Sequence, residues 1–419
     1  MTSFKMEKLK NITLKIGSGS TPRGGEAVYI QDGITLIRSQ NIYDYKFEKD
    51  GLVYLDYKEG QLLRNVTIEQ LDILLNITGD SVGRCCTVPN ELLPARVNQH
   101  VCIIRVNTTN SPEYVMYALN ERKNKERLLN LVHGGTRKAL TKGVIEEFEI
   151  SLPAFTTQVA IASILKKVDA KIELNRNINQ TLEQMAQTLY KHWFVDFGPF
   201  KDSEFEESEL GDIPNGWKVQ SLKDIALIIM GQSPKSEFYN VDYEGLPFHQ
   251  GVTGFEERFP QHTVYSSKIL RVANENDILT SVRAPVGRIN IAPSEMVIGR
   301  GLAAIRPKDN NYSFLLYTLK NIFKSEDSHG SGTIFNSINK SELENLKVTI
   351  PNPNIIDLFE EKVKKWDKLY KINSEIINQL IDTRDYLLPR LLSGEIEVKE
   401  AANMIKEVLA VDKESIVRI

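Results

Sequence analysis

The chain has 419 residues, 41% of them hydrophobic and 26% charged, with 52 basic against 55 acidic side chains and a formal charge of −3. That length exceeds one ordinary domain, and the composition excludes disordered, collagenous and disulfide-scaffold chains. Bulk charge does not advertise a polyanionic partner, so any nucleic-acid-facing surface must be local.

Met1 to Lys15 lacks the apolar core of a secretory leader. The longest apolar run, Ile225–Met230, is far short of the ~20 residues needed to span a bilayer. Cys85, Cys86 and Cys102 form no C-x-x-C pair, and adjacent cysteines rarely bridge. A soluble protein of the reducing cytoplasm, with no membrane partner, is expected.

In chain order, residues 1–155 read as a mixed α/β domain. Short β-rich runs (Ile34–Ile37, Asp72–Ile77, Val101–Val106) alternate with Gly, Pro, Asn and Asp turns, and a helical stretch follows over Tyr114–Leu131. Residues 156–199 read as a long helix, in which Leu165, Val168, Ile172, Asn175, Asn179, Leu182, Ala186 and Leu189 step by alternating three and four. That is a heptad stripe, and a helix from Thr156 to Phe194 would be roughly 60 Å long at ~1.5 Å per residue. Residues 200–214 carry six acidic side chains against one lysine, the composition of a solvated linker.

The chain then reads itself again. Leu9-Lys10-x-Ile12 returns as Leu222-Lys223-x-Ile225, Thr21-Pro22 as Ser233-Pro234, and Asp72-Ile73-Leu74 as Asp277-Ile278-Leu279. Val82-Gly83-Arg84 returns as Val286-Gly287-Arg288, Ile104-Arg105 as Ile305-Arg306, and Gly135-Thr136 as Gly332-Thr333. The offset shrinks from 213 to 198 by Pro153 and Pro351, and from there the register holds without gaps at +198. Residues 215–351 are therefore a second mixed domain, with a helical stretch over Tyr312–Phe323. Residues 352–396 are a second long helix, striped by Val363, Trp366, Tyr370, Asn373, Ile377, Leu380, Arg384 and Leu387. A tail over 397–419 holds an amphipathic segment, Ala401–Leu409. Asn175 and Asn373 occupy equivalent stripe positions, where a polar residue costs stability and can fix register. The fold class expected is α/β (α+β), duplicated: two globular domains separated by two long coiled-coil-like helices in pseudo-two-fold arrangement. An antiparallel pairing would place the domains at opposite ends, although the sequence alone leaves a parallel pairing open.

Catalytic signatures are missing. There is no G-x-x-x-x-G-K-[ST] phosphate loop, no G-x-G-x-x-G fingerprint and no Asn/Asp-Pro-Pro-aromatic tetrapeptide; Gly17-Ser18-Gly19-Ser20-Thr21-Pro22 reads as a turn or exposed loop. The six histidines make no H-E-x-x-H pair, so no metal site is expected. A recognition or assembly protein is favoured over an enzyme.

Side chains suited to groove edges or phosphates sit in matched loops. In the first copy these are Arg38, Gln40 and Asn41; Arg84; Asn98, Gln99 and His100; and Thr136, Arg137 and Lys138. In the second they are His249 and Gln250; Arg283, Arg288 and Arg300; and His329, Ser331 and Thr333. Arginine can bond guanine in pairs, Asn or Gln can bond adenine, and Gly-rich turns can hold phosphate. Polar loops are also often merely solvated, and Val-Gly-Arg can equally mark a structural turn. Asn98-Gln99-His100 becomes Gly299-Arg300-Gly301, so the two copies share a scaffold and not a reading chemistry.

Leu189-Tyr190-Lys191-His192-Trp193-Phe194-Val195-Asp196-Phe197, Pro389-Arg390-Leu391-Leu392-Ser393-Gly394-Glu395-Ile396 and Ile213-Pro214-x-Gly216-Trp217, together with the duplicated layout, resemble the specificity subunit of type I restriction-modification systems over essentially the whole chain. The resemblance implies a non-catalytic subunit whose two target-recognition domains each read half of a bipartite, asymmetric site in double-stranded DNA. The helices would set the gap and dock two methyltransferase subunits. S-adenosylmethionine would be held by those partners, and ATP with Mg by motor-nuclease subunits that can join; none is expected on this chain. A stand-alone DNA-binding regulator and a coiled-coil interaction scaffold are the alternatives.

Overall fold

The computed structural model describes residues 4–132, 139–328 and 337–417. The chain divides into two compact units, Met1–Asn177 with Ile372–Arg418, and Ile178–Lys371.

In the first unit a four-stranded antiparallel sheet runs in the order Thr13–Ser18, Val101–Val106, Ile73–Asn76, Cys85–Thr87. Its central strands carry the apolar runs Val101–Ile104 and Ile73–Leu75 because both faces are covered there. Cys102 and Ile104 join Ile73, Leu75 and Cys85 under the helix Pro112–Asn120, while Val101 and Ile103 join Leu74 and Cys86 on the opposite side. That opposite side meets a three-stranded sheet, ordered Val53–Leu55, Ile34–Ile37, Ala95–Val97, through Leu36, Ile37, Ala95 and Val97. Helix Pro112–Asn120 starts where Ser111 accepts from the Tyr114 amide and proline occupies the first turn. Lys5–Lys8 pairs with Glu149–Leu152 and closes the domain just before the first long helix. The three cysteines are free and buried.

The repeated residues turn out to hold this frame. Arg105 grips the fully buried Asp72 by two parallel bonds of 2.8 Å, and Asp72 also accepts from the Glu69 amide at 2.7 Å. In the second unit Arg306 grips Asp277 at 2.7 and 2.8 Å, with the Asn274 amide in the role of Glu69. Gly83 and Gly287 turn the chain at φ +86° and +79°, and a Cβ on Gly287 would lie 2.6 Å from the Phe323 ring.

The second unit repeats the plan. Its four-stranded sheet runs Ala226–Met230, Leu302–Pro307, Ile278–Ser281, Ile289–Ile291, and Lys218–Ser221 pairs with Lys347–Ile350 as the closing ladder. A five-stranded sheet runs Tyr239–Asn240, Tyr265–Ser266, Leu246–His249, Met296–Ile298, Val272–Ala273. Residues 200–214, expected as a solvated linker, instead form a hairpin, Phe205–Ser208 with Gly211–Pro214. The acidic side chains face water while Phe205 meets Phe197, and Phe197 and Phe200 pack on Trp217 at 5.5 and 5.1 Å. Composition hid an aromatic anchor.

The long helices span Phe155–Phe194 and Pro353–Ser393. Left-handed Phe197 before Gly198-Pro199 follows the end of the first, and left-handed Gly394 ends the second. Each helix gives half its length to each unit. In the first unit Leu165, Val168 and Ile172 share a core with Ile376, Leu380 and Leu387; in the second Ala186, Tyr190 and Phe194 share one with Ile356, Phe359 and Val363. Within both units the early half of one helix meets the late half of the other, so the pairing is antiparallel. Asn175, Asn179 and Asn373 are buried, and the Asn179 amide donates to the Tyr370 carbonyl at 3.3 Å. Leu182 is buried, and Leu189 and Trp366 are half-buried. The tail is a helix, Val398–Val417, seated in the first unit's core through Ala401 and Ile405.

Candidate nucleic-acid interface

Three loops and one strap meet at one end of the mixed domain of the first unit. The strap is Gly19-Ser20-Thr21-Pro22. The Gly19 amide donates to Val101 O at 2.8 Å and the Ser20 amide to Val97 O at 3.0 Å. A Cβ on Gly19 would lie 2.2 Å from Val97 O, so the strap must begin with glycine. It lies beside Asn98-Gln99-His100, where the exposed Thr21 hydroxyl bonds Gln99 Oε1. Gln99 Nε2 meets His100 Nε2 at 2.9 Å, and His100 Nδ1 meets Thr78 Oγ1 at 2.6 Å. The Asn98 amide donates to Ile37 O at 3.0 Å, bringing the Arg38–Asn41 turn alongside, and Asn76 Nδ2 bonds both Ser39 O and Ser81 Oγ.

The second domain builds the same end from different side chains. The Gly231 amide donates to Leu302 O at 2.9 Å and the Gln232 amide to Ile298 O at 2.9 Å, and a Cβ on Gly231 would lie 2.1 Å from Gly299 O. The Ser233 hydroxyl donates to Gln250 Oε1 at 2.7 Å and accepts from the Arg300 amide at 3.1 Å. Arg283, Arg288, Arg300 and Gln250 are exposed, and Arg283 bridges to Ser337.

Sequence reading missed Thr21, Ser233 and Thr78. The available signal was the repeated Gly-x-[Thr/Ser]-Pro, of which the glycine went unused. Some candidates are spent on structure. Asn41 is fully buried, accepts from the Arg38 amide at 3.1 Å and donates to Glu48 O and Asp50 O, so nothing of its amide remains to read a base. His249 is buried and turned inward, with Nδ1 on Thr253 O at 3.2 Å and Nε2 on His262 Nδ1 at 3.0 Å. Burial first, then His262, pushes its pKa down to about 4. Asn98 is buried and accepts its own loop's His100 amide at 3.2 Å. Arg84 is half-buried, 4.6 Å over the Tyr43 ring. Arg38 bonds Gly51 O at 2.6 Å with its guanidinium 5.7 Å from the Tyr29 ring centroid, while Gln40 is exposed. Thr136, Arg137, Lys138, His329, Ser331 and Thr333 lie outside the described residues.

In each unit the mixed domain is seated on the helices by a largely buried charge cluster built on equivalent aspartates. In the first unit Tyr117 donates to Asp169 at 2.5 Å, and Arg384 donates to the other Asp169 oxygen at 3.0 Å while lying 3.9 Å over Tyr45. Burial raises the Asp169 pKa despite Arg384. In the second unit Arg258, only 3% exposed, donates to Asp367 at 2.6 Å and to the Tyr317 hydroxyl at 2.9 Å, 4.5 Å over Tyr370. Lys320 reaches Glu183 at 2.6 Å, and Glu183 lies 3.7 Å from Arg258. Burial alone would push the Glu183 carboxyl up, but Lys320 and Arg258 bring it below its usual range.

A groove of about 1730 Å³ in the first unit, lined by Lys46, Arg122, Lys125, Lys166, Arg176 and Glu173 among others, mixes both signs of charge and includes none of the loop and strap residues described above. Among the described residues no group of three or more His, Cys, Asp or Glu could hold a metal, and no helix is long and apolar enough to cross a membrane.

The family model for the type I restriction modification DNA specificity domain matches residues 43–184 and 214–383, once for each recognition domain. The chain is 30% identical over 406 residues to the protein assigned as the specificity subunit of the MjaX type I restriction enzyme of Methanocaldococcus jannaschii, covering 94% of each. It is 27% identical over 405 residues to the HindI specificity subunit of Haemophilus influenzae, covering 78% of this chain and 87% of that one. The solved S subunit of a type I restriction-modification system from M. genitalium matches with a TM-score of 0.56 at 15% identity, covering 93% and 96%, a likeness of fold. With its duplicated layout, its two matched segments and relatives aligned almost end to end, the chain belongs to the type I restriction-modification DNA specificity subunits.

Proposed function

We propose that this chain selects a split, asymmetric site in double-stranded DNA, each loop-and-strap end reading one half. The long helices set the unspecified gap and dock two methyltransferase subunits. Those subunits hold S-adenosylmethionine and flip the target base, motor-nuclease subunits with ATP and Mg can join, and the chain itself carries no chemistry. One observation above all supports this reading: the same glycine-started strap and loop end is built twice, with unlike exposed side chains on it. A common scaffold with different readers is what two unlike half-sites demand. The near-neutral chain, with 52 basic against 55 acidic side chains, fits a subunit that relies on partners for phosphate contacts, since those supply most sequence-independent affinity.

Co-expression with the methyltransferase subunit, followed by mapping of modified bases, tests the proposal. A bipartite motif is expected, and Arg300→Ala should alter specificity only in the half read by residues 215–351. Modification without a split motif, failure to co-purify, or equal loss in both halves would overturn it.

A further inference from the structure

In both domains the strap hydroxyl points at a glutamine, although the glutamines are not equivalent. Gln99 follows the strand Ala95–Val97, whereas Gln250 follows Leu246–His249, whose counterpart in the first domain is Ile34–Ile37. Both are exposed at the tip, and both have Oε1 bonded by the strap residue, Thr21 or Ser233. Thus one arrangement has been reached from two different loops.

The bonding leaves a defined remainder. Ser233 accepts the Arg300 amide, so its one proton goes to Gln250 Oε1. Gln99 is held twice, by Thr21 at the oxygen and by His100 at the nitrogen, with Thr78 behind the imidazole. An amide has two donor hydrogens and two acceptor lone pairs. After these bonds each glutamine still offers at least one N–H and one oxygen lone pair toward solvent. That pair matches the major-groove edge of adenine, which presents an N6 donor beside an N7 acceptor; guanine presents two acceptors.

We infer that Gln99 and Gln250 are the adenine-reading residues of the two half-sites, and that Thr21, His100 and Ser233 are positioning residues that fix which way each amide faces. A held amide has already lost the rotamer freedom that binding would otherwise remove. The inference rests on the proposed function, because it takes these ends to face DNA.

The test uses the chain assembled with its methyltransferase and a map of modified sites. Gln99→Glu replaces the donor with an acceptor and should abolish preference for one A·T pair in the first half-site, leaving the second intact; Gln250→Glu should do the converse. Thr21→Val should relax the same position as Gln99→Glu without changing others, which a merely structural role would not produce. In binding assays, 7-deazaadenine at that position should weaken the wild-type complex on the order of tenfold to a hundredfold and leave Gln99→Ala unaffected. Unchanged motifs in both glutamate variants, or half-sites without an A·T pair at any read position, would overturn the assignment. A wild-type complex that modifies no split sequence would instead overturn the function on which it rests.

Discussion

Arg258→Met would remove the guanidinium at the centre of the second unit's seat while keeping most of its volume. What remains can be worked out from the contacts. Glu183 keeps Lys320 at 2.6 Å, and Asp367 keeps the Ser313 hydroxyl at 2.6 Å but loses its cation. The change also forfeits the guanidinium over Tyr370, about 0.5–2 kcal/mol. Breaking a fully buried pair from one side costs about 3–5 kcal/mol; the Asp367 side chain is 26% exposed, so water takes up part of the stranded charge and the loss falls at the lower end, about 3 kcal/mol. We expect that loss, and most of it should return in the double variant Arg258→Met with Asp367→Leu, which removes the stranded carboxylate.

The assay is unusually local. Trp193, Trp217 and Trp366 are the chain's three tryptophans, and all fall in Ile178–Lys371. Urea unfolding followed by tryptophan fluorescence therefore reports the unit that holds Arg258. At a slope of roughly 2 kcal/mol per molar the midpoint should fall by about 1.5 M. A shift under about 0.5 M, or a double variant no more stable than the single one, would refute the reasoning.

Inserting one heptad into each long helix at matched positions adds about 10 Å of rise; the mapped motif should gain two to three base pairs of gap with its half-site bases unchanged, and altered bases with an unchanged gap would defeat the ruler account. His249 has a folded pKa of about 4 against an ordinary 6.5, so the unfolded chain takes up a proton first. Its contribution is complete above pH 6.5 and is lost as pH falls toward 4, about 3 kcal/mol in all; tryptophan-detected urea midpoints at pH 7.5 and 5 should differ less in His249→Gln than in the wild type. Asn175 is fully buried with neither amide atom bonded, so Asn175→Leu should stabilise the first unit by about 1–3 kcal/mol, measured by amide hydrogen exchange along the helices; a loss of stability would show that the site has no room for leucine.

Much of the frame was legible because its repeated residues do backbone-level work. Asp72 and Arg105, or Gly83, recur as Asp277 and Arg306, or Gly287, since a strand clamp and a left-handed turn admit few other residues. The heptad stripe was legible for the same reason: one buried face must recur at helical spacing. The loop-and-strap ends were less so. Residue type does not reveal which way a polar side chain turns, and Asn41 and His249 turn inward. Nor could the sequence disclose Arg258, because its partners lie 59 to 109 residues away on other elements.

The two seats explain how the reading domains can diverge while the helices keep step. Asp169 and Asp367 hold the +198 register, and each takes one hydroxyl and one arginine: Tyr117 and Arg384 on Asp169, Ser313 and Arg258 on Asp367. In the first unit the arginine comes from the opposite helix, Arg384, so residues 1–155 contribute no charge to the seat, only the Tyr117 hydroxyl and the Tyr45 ring under the guanidinium. In the second, the arginine comes from the recognition domain itself. The consequence is asymmetric. A different first domain needs only a hydroxyl for Asp169 and a ring under Arg384, whereas a different second domain must bring its own arginine or leave the half-buried Asp367 without a cation. Drift in these domains is thus tolerated up to the point where a half-buried carboxylate would lose its partner, and that condition falls more heavily on residues 215–351.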